Sequence, residues 1–202
     1  ITGEKMELDG YNVLEGENIE VYDHMKKHTL CTMVQLNQNN EEAGHKIAMQ
    51  VAAMKPIALD EASVPEAVKE EEHKVAVQKT KEEQVEKAVV NAIKKAGVNP
   101  NLVDSEDHIE SNIKKGWLTP EDAEKAREIR AKVGAEKAAN LPEQMVQNIA
   151  KGRLNKFFKE SCLVDQEFQF GDGDKLNVAQ WLQAQSKTLA VCDYRRYSLS
   201  AE

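Results

Sequence analysis

The chain has 202 residues, a formal net charge of −8, 31% charged residues and only 5% aromatic residues. The negative charge argues against nucleic acid or an anionic membrane as the main partner, and no run approaches the roughly 18 apolar residues of a membrane span. This composition suits long solvated helices around a small core better than a large enzyme core, and the length allows one or two domains.

The cysteines give the expected compartment. Cys31, Cys162 and Cys192 are far apart in the sequence and odd in number. Such a set favours free thiols in a reducing compartment over a disulfide framework, so we expect a cytoplasmic protein. The chain starts with Ile1 rather than Met, and we expect it to be a fragment of a longer protein.

The beginning of the chain carries β-strand patterns. Apolar and polar residues alternate over 18–24 and again over 29–36, and a period of two is typical of half-buried strands. Residues 25–28 would form the hairpin connection, although they lack the glycine that tight hairpin turns favour. An earlier run over 6–14 is a further candidate for extended structure.

The stretch GHKIAMQVAAMKP, which begins at Gly44, is the most apolar part of the chain. We predict a buried central helix over 43–54, because Ile47 and the valine four residues later stack on one helix face and a proline ends the run. A short strand is the competing interpretation, which the length and the alanines disfavour. Gln50 interrupts the apolar run, either as a polar tip that reaches the surface or as a contact with a partner.

A long charged helix is predicted over 65–96. It would be about 48 Å long at 1.5 Å per residue, which is too long for a small core to cover, so we expect it to project as an arm. Gly97 is placed to end it in a left-handed conformation. Its apolar residues form a weak coiled-coil seam. One heptad position of that seam holds Val68, Val75, Val89 and Ala96, and the other holds Val85 and Ala92.

Three more helices are predicted to follow in the arm. A short helix over 104–116 stops at a glycine, and Thr119 and Pro120 give the next helix its cap and its first residue. A last helix runs over 142–160. Gly152 lies inside it at a cost of about 1 kcal/mol relative to alanine, which favours a close contact with another helix there.

The end of the chain returns to mixed structure. Residues 167–170 are a short strand candidate, Asn177 can cap a helix, and 187–199 alternates like a final strand. The predicted fold class is α+β: a small antiparallel sheet with packed helices, interrupted by a long inserted helical arm that resembles a coiled coil. The predicted domains are an α+β core subdomain over 1–60 and 161–202 and a helical arm over 61–160.

Signs of catalytic chemistry are absent from the sequence. Gly171 and Gly173 form a turn rather than a phosphate-binding loop. His24, His28 and Cys31 have a spacing that could suggest zinc, but no fourth ligand is evident, and a polar hairpin end is favoured. We therefore predict no catalytic residue, no cofactor and no metal, and a binding protein rather than an enzyme.

Four segments in order resemble one family, and together they span 45–182. HKIAMQVAAMKP, from His45, resembles the segment H-I-A-M-H-V-A-A-x-x-P of elongation factor Ts. GRLNKFFKE, from Gly152, and the Leu163 and Gln166–Phe168 positions after it are similar to a second segment of that family. The shorter matches are VPE followed by Val68, and Lys175 followed by Asn177, Val178, Gln180 and Leu182.

The resemblance implies a translation factor that binds elongation factor Tu and promotes exchange of GDP for GTP. It implies two similar α+β subdomains, a coiled-coil arm inserted in the second, and an N-terminal helical domain. This sequence would cover only the second subdomain and the arm. It lacks the T-D-F-V segment that the family uses to disturb the magnesium site of its partner, so we expect binding with little stimulation of GDP release. Residues 102–139 look inserted relative to shorter relatives.

The resemblance also suggests two partner-binding residues. Gln50 takes the place of the second His of the family motif, and Leu30 aligns loosely with an apolar strand residue at the same surface. For both, plain core packing is about as well supported. The alternative hypothesis is a structural module in which the arm forms a homodimer and has no exchange activity. Neither hypothesis involves direct nucleic-acid or membrane binding.

Overall fold

The computed structural model describes residues 3, 5, 7–171, 173 and 175–199. Its sheet contains β1 (Ile19–Asp23), β2 (Leu30–Leu36) and β3 (Val191–Ser198). Both pairings are antiparallel, and the spatial order is β1-β2-β3. Its helices are α1 (Glu41–Met54), α2 (Glu66–Lys95), α3 (Glu106–Lys114), α4 (Pro120–Ala139), α5 (Glu143–Ser161) and α6 (Val178–Gln185). Short 3-10 turns lie at His24–Lys26 and Pro100–Leu102.

The chain divides into two compact units. The sheet unit contains residues 1–66 and 155–202, and the arm unit contains residues 67–154. Mixed helices and a small antiparallel sheet confirm the predicted α+β class. The domain boundaries given above stay a prediction.

The two faces of the sheet differ, as the alternation in the sequence predicts. On β2, Thr32 and Val34 are buried on the face that meets α1, whereas Met33 between them is only half-buried. The Thr32 hydroxyl donates to the carbonyl oxygen of Ala48 at 2.8 Å, so a buried polar group is satisfied and fastens the sheet to the helix.

The central helix α1 confirms the predicted helix and makes the competing strand interpretation wrong. The Asn40 side chain accepts from the N–H of Ala43 at 3.0 Å and caps the helix. At Gly44 the helix comes so close to the sheet that an added Cβ would lie 2.4 Å from Cγ of Glu20. The helix therefore packs on the sheet with most of its apolar residues buried.

One core fills the sheet unit between α1, α6 and the sheet. Its fully buried large residues include Leu36, Ile47, Leu163 and Leu182. The predicted strand over 167–170 is wrong, because Glu167 forms only one isolated bridge, to Asn177, and a turn follows. There the ring of Phe168 packs on Trp181 with centroids 4.2 Å apart, so side-chain packing replaces strand pairing.

Two helices of the arm unit, α3 and α4, begin at a polar cap. Ser105 accepts from the N–H of His108 at 3.3 Å, and Thr119 accepts from the N–H of Asp122 at 3.1 Å. The Thr119 contact confirms the predicted start of α4, whereas α3 begins at Glu106, two residues after its predicted start. Gly97 has the expected positive φ of 84°. A second core lies in this unit and consists of Val89, Ile93, Val98, Val103, Ile109, Leu118, Ala123 and Ala126.

The predicted seam of α2 coincides with the buried face only in part, because Val89 is fully buried whereas Val75 is half-buried and Ala76 and Thr80 are buried. The Thr80 hydroxyl donates to the Ala76 carbonyl at 2.7 Å, which allows this polar side chain to be buried. One detail of the predicted arm is wrong. Gly152 was expected at a close helix contact, but an added Cβ would meet no atom within 4 Å.

Within the part of the chain that the structure describes, no helix is long and apolar enough to cross a membrane.

Candidate functional site: an apolar groove in the sheet unit

An apolar groove opens at one end of the sheet, where β2 begins and α1 ends. Its volume is about 230 Å³, and we call it the Leu30 groove. It is lined by Tyr22, His24, Leu30, Met49, Ala52, Ala53 and Phe170. These residues come from β1, the turn after it, β2, α1 and the segment after α5, so regular elements hold most of the walls.

Tyr22 fixes the polar rim of the Leu30 groove. Its hydroxyl lies 2.9 Å from Nδ1 of His24, which lines the same groove. Its ring meets the ring of His45 edge-on, with centroids 5.4 Å apart. The Tyr22 side chain therefore has contacts with two histidines. It gives the rim both apolar surface and hydrogen-bonding atoms, a combination that is typical of binding clefts.

The connection beside the groove has a strained backbone. Met25, Lys26 and His28 all have a φ of 56°, a left-handed conformation that costs a non-glycine residue about 1 kcal/mol. Asp23 supports this loop, since its carboxylate accepts from the N–H of His28 at 3.0 Å and lies 2.5 Å from the ring Nδ1. The loop exposes the apolar side chain of Met25 at its tip, which is typical of a contact surface.

The possible metal ligands of this region do not converge. His24 lines the Leu30 groove, whereas Cys31 lies in a different cavity with Met33 and Tyr197. Burial, and then the nearby carboxylate of Asp23, raise the pKa of the Cys31 thiol, which leaves it a poor nucleophile and ligand. Among the described residues no three His, Cys, Asp or Glu side chains are arranged to hold a metal ion.

The two residues singled out from the sequence have different surroundings. Leu30 is half-buried and lines the groove. Gln50 is fully buried in the same unit, and its side chain bonds to residues 166, 167 and 169. Its interpretation as a polar tip at the surface is therefore wrong, and its contact with a partner stays a prediction. The sequence patterns did not single out Met49 or Phe170, which also line the groove.

A larger polar cavity of about 530 Å³ lies elsewhere in the sheet unit. Its charged lining residues are Lys156, Lys159, Lys175, Glu160, Asp165 and Glu167. The charges balance, so the cavity favours neither an anion nor a cation. Burial and the carboxylates of Glu61 and Asp60 raise the pKa of Asp165, and Lys159 opposes them. The Leu30 groove is therefore the better candidate for a binding site.

Comparisons with known proteins agree on one family. The family model of elongation factor Ts matches residues 1–201. Elongation factor Ts of Parabacteroides distasonis is 58% identical over 202 residues, which are 100% of this chain and 61% of that protein. Elongation factor Ts of Bacteroides fragilis is 59% identical over 203 residues, again covering 100% of this chain and 61% of that protein.

A more distant relative shows the same partial coverage. Elongation factor Ts of Porphyromonas gingivalis is 30% identical over 203 residues, which are 100% of this chain and 53% of that protein. The chain thus spans between about half and three fifths of these curated relatives. From the model match and these identities, we conclude that the chain belongs to the elongation factor Ts family.

Proposed function

We propose that this chain binds elongation factor Tu through the Leu30 groove, as the anchoring part of a factor that promotes exchange of GDP for GTP in the cytoplasm. The groove is the observation that carries the proposal, because an apolar cavity on a rigid sheet-and-helix frame can receive an apolar side chain of a protein partner. Family membership supports the identity of that partner.

The mechanism needs binding and no covalent chemistry. An exchange factor acts if it binds the nucleotide-poor conformation of its partner more tightly than the nucleotide-bound one. The lining of the groove offers apolar area and a polar rim at Tyr22 and His24, which suits a buried anchor contact surrounded by hydrogen bonds. No cofactor enters this mechanism.

The anchoring role is also consistent with the partial coverage of the relatives, since the chain matches 61% of the length of the Parabacteroides protein. Anchoring alone holds the partner without favouring its nucleotide-poor state, so we expect binding with weak stimulation of GDP release. The remaining part of the full-length factor would act on the nucleotide site.

A matched pair of leucine variants tests the groove. Leu30→Ala removes an apolar wall, whereas Leu199→Ala makes the same change at an exposed side chain of the same unit. We expect Leu30→Ala to weaken binding to elongation factor Tu·GDP at least about tenfold, or about 1.4 kcal/mol, and Leu199→Ala to leave it unchanged. Titration calorimetry measures both, after circular dichroism has shown that both variants are folded. Equal affinities would contradict the proposed site.

The exchange step needs a separate measurement. Release of fluorescent GDP from elongation factor Tu is compared for this chain and for a full-length relative at the same concentration. Slow release with this chain and fast release with the longer protein support the anchoring role. Equally fast release would show that this chain is sufficient for exchange. The proposal that a different part of the full-length factor acts on the nucleotide site would then be wrong.

A further inference from the structure

Gln50 is the centre of a buried hydrogen-bond network in the sheet unit. The side chain is 0% exposed. Its Nε2 donates to the carbonyl oxygen of Glu167 at 3.1 Å and to Oε1 of Gln166 at 3.3 Å. Its Oε1 accepts from the backbone N–H of Gln169 at 3.0 Å. One amide therefore binds the chain on both sides of Phe168.

Gln166 extends the network to the ends of two helices. It is 1% exposed, and its Nε2 donates to the carbonyl oxygens of Glu160 at 2.9 Å and Met54 at 3.4 Å. These are among the last carbonyls of α5 and α1, which have no partner within their own helices. The two glutamines thus join the C-terminal ends of both helices to the segment that follows α5.

The segment held in this way supplies one wall of the Leu30 groove. Phe168, between the two residues that Gln50 binds, packs on Trp181 and lies edge-on to Phe170, with ring centroids 4.2 Å and 6.3 Å away respectively. Phe170 lines the groove together with residues of the sheet and of α1. The position of this wall therefore depends on bonds that Gln50 makes below the surface.

We infer that Gln50 is a positioning residue for partner binding: it acts through residues 167–170 to hold Phe170 in the wall of the Leu30 groove. This inference rests on the function proposed above. In this conformation the amide of Gln50 is fully buried, and both of its N–H groups and its carbonyl oxygen bond within the chain, so we place its effect on binding in the segment that it holds. Gln50 affects affinity by fixing Phe170, which contacts the partner, because a wall that is already ordered loses less conformational entropy on binding.

A double-mutant cycle separates this role from a purely structural one. Gln50→Met keeps much of the volume and removes all three hydrogen bonds, and Phe170→Ala removes the wall itself. We expect Gln50→Met to weaken binding to elongation factor Tu about tenfold when Phe170 is present, and less than about twofold in the Phe170→Ala background. An equal factor in both backgrounds would overturn the inference.

Two controls keep the cycle interpretable. Gln183→Met makes the same change at an exposed glutamine of α6 and should leave the affinity unchanged. Gln50→Glu keeps the acceptor for the Gln169 N–H but loses both donors, and it replaces Gln50→Met if that variant does not fold. All affinities are measured at a temperature at which circular dichroism shows each variant to be folded.

A spectroscopic readout tests positioning without the partner. The chain has two tryptophans, so Trp117→Phe leaves Trp181 as the only one. We expect Gln50→Met to shift the emission of Trp181 and to speed hydrogen exchange at the Gln169 amide, whereas Gln183→Met changes neither. If both stay unchanged in Gln50→Met, the inference is wrong whatever the affinity. If Phe170→Ala alone leaves binding unchanged, the proposed binding site in the groove is wrong. In that case Trp181 emission and hydrogen exchange at the Gln169 amide still show whether Gln50 positions residues 167–170.

Discussion

The sheet unit and the arm unit are stabilised differently. The sheet unit buries large apolar side chains such as Leu36, Ile47 and Leu163 together with a satisfied amide network. The arm unit buries mainly valines and alanines along narrow stripes. Half-exposed ion pairs such as Arg130–Glu86 lie on its surface, and such pairs contribute little. A charged helical arm can therefore be well defined by caps and small residues without a large core.

The largest expected effect is a cavity in the sheet unit. Ile47 and Ile93 are both fully buried, one in each unit. We expect Ile47→Ala to lower the free energy of unfolding of its unit by about 4 kcal/mol and Ile93→Ala by about 2 kcal/mol, because helices with small neighbours can close part of the cavity. Native-state hydrogen exchange of α1 and α2 amides measures both. Ile57→Ala, at an exposed position, is the control, and a larger loss at Ile93 would reverse the comparison.

Two helical glycines should respond in opposite directions. Gly44→Ala places a Cβ against Glu20, and the clash should outweigh the better helix propensity, for a net loss of about 1–2 kcal/mol. Gly152→Ala meets open space and should gain about 1 kcal/mol. Urea unfolding followed by circular dichroism gives both signs. A gain at Gly44 would show that α1 is less tightly packed on the sheet than its geometry indicates.

Tyr194 gives the sheet unit a dependence on alkaline pH. Its hydroxyl donates to the Pro56 carbonyl at 2.7 Å, and burial is the largest cause that raises its pKa to about 12. The unfolded tyrosine ionises near pH 10, so between about pH 10 and 12 the folded state holds more protons and stability falls as pH rises. Because the ring is only half-buried, we expect a loss of no more than about 1 kcal/mol.

Tyr194→Phe checks that dependence. The variant should lose about 1 kcal/mol at neutral pH with its hydrogen bond, and it should be less sensitive than the natural chain above pH 10. Tyr11→Phe, at an exposed ring, should reproduce the natural profile. Guanidinium unfolding at a series of pH values measures all three proteins. An unchanged alkaline slope in Tyr194→Phe would assign the dependence to other groups.

The smallest expected effect is an ion pair on the arm. Arg130 Nη1 lies 2.8 Å from Glu86 Oε2, and the same guanidinium donates to the Val103 carbonyl at 3.2 Å. A cycle of Arg130→Met and Glu86→Gln should give a coupling of about 0.5 kcal/mol that declines with added salt. A coupling above about 2 kcal/mol would mean that ion pairs, rather than packing, stabilise the arm.

The sequence was informative where the chemistry is local. The caps at Thr119 and Asn177 act on backbone N–H groups three residues away, so a short pattern was enough to locate these two helix starts. The buried face of β2 could be predicted because alternate residues of a strand point to opposite faces. The same alternation placed Leu30 at the start of that strand.

The sequence did not predict features that depend on contacts between residues far apart in the chain. Gly152 faces nothing, Gly44 faces Glu20, and no local pattern distinguishes the two glycines. Gln50 is buried because Gln166 and the chain beyond it provide matching hydrogen-bond partners far away in sequence. Leu30 was a candidate only because it aligns with a position of the family, whereas no pattern in the sequence pointed to Phe170, which lines the same groove.

The sheet topology has a consequence for synthesis on the ribosome. β2 is the central strand, and Cys31 pairs with Tyr197, so the whole arm is made between the two partners. At typical rates of protein synthesis the arm takes on the order of ten seconds to synthesise. During that time β2 has only β1 beside it, and a two-stranded ribbon is marginal in water. The nascent chain therefore presents an open strand edge and an apolar helix until β3 emerges, which makes this interval the one in which a chaperone or a mispaired strand can act.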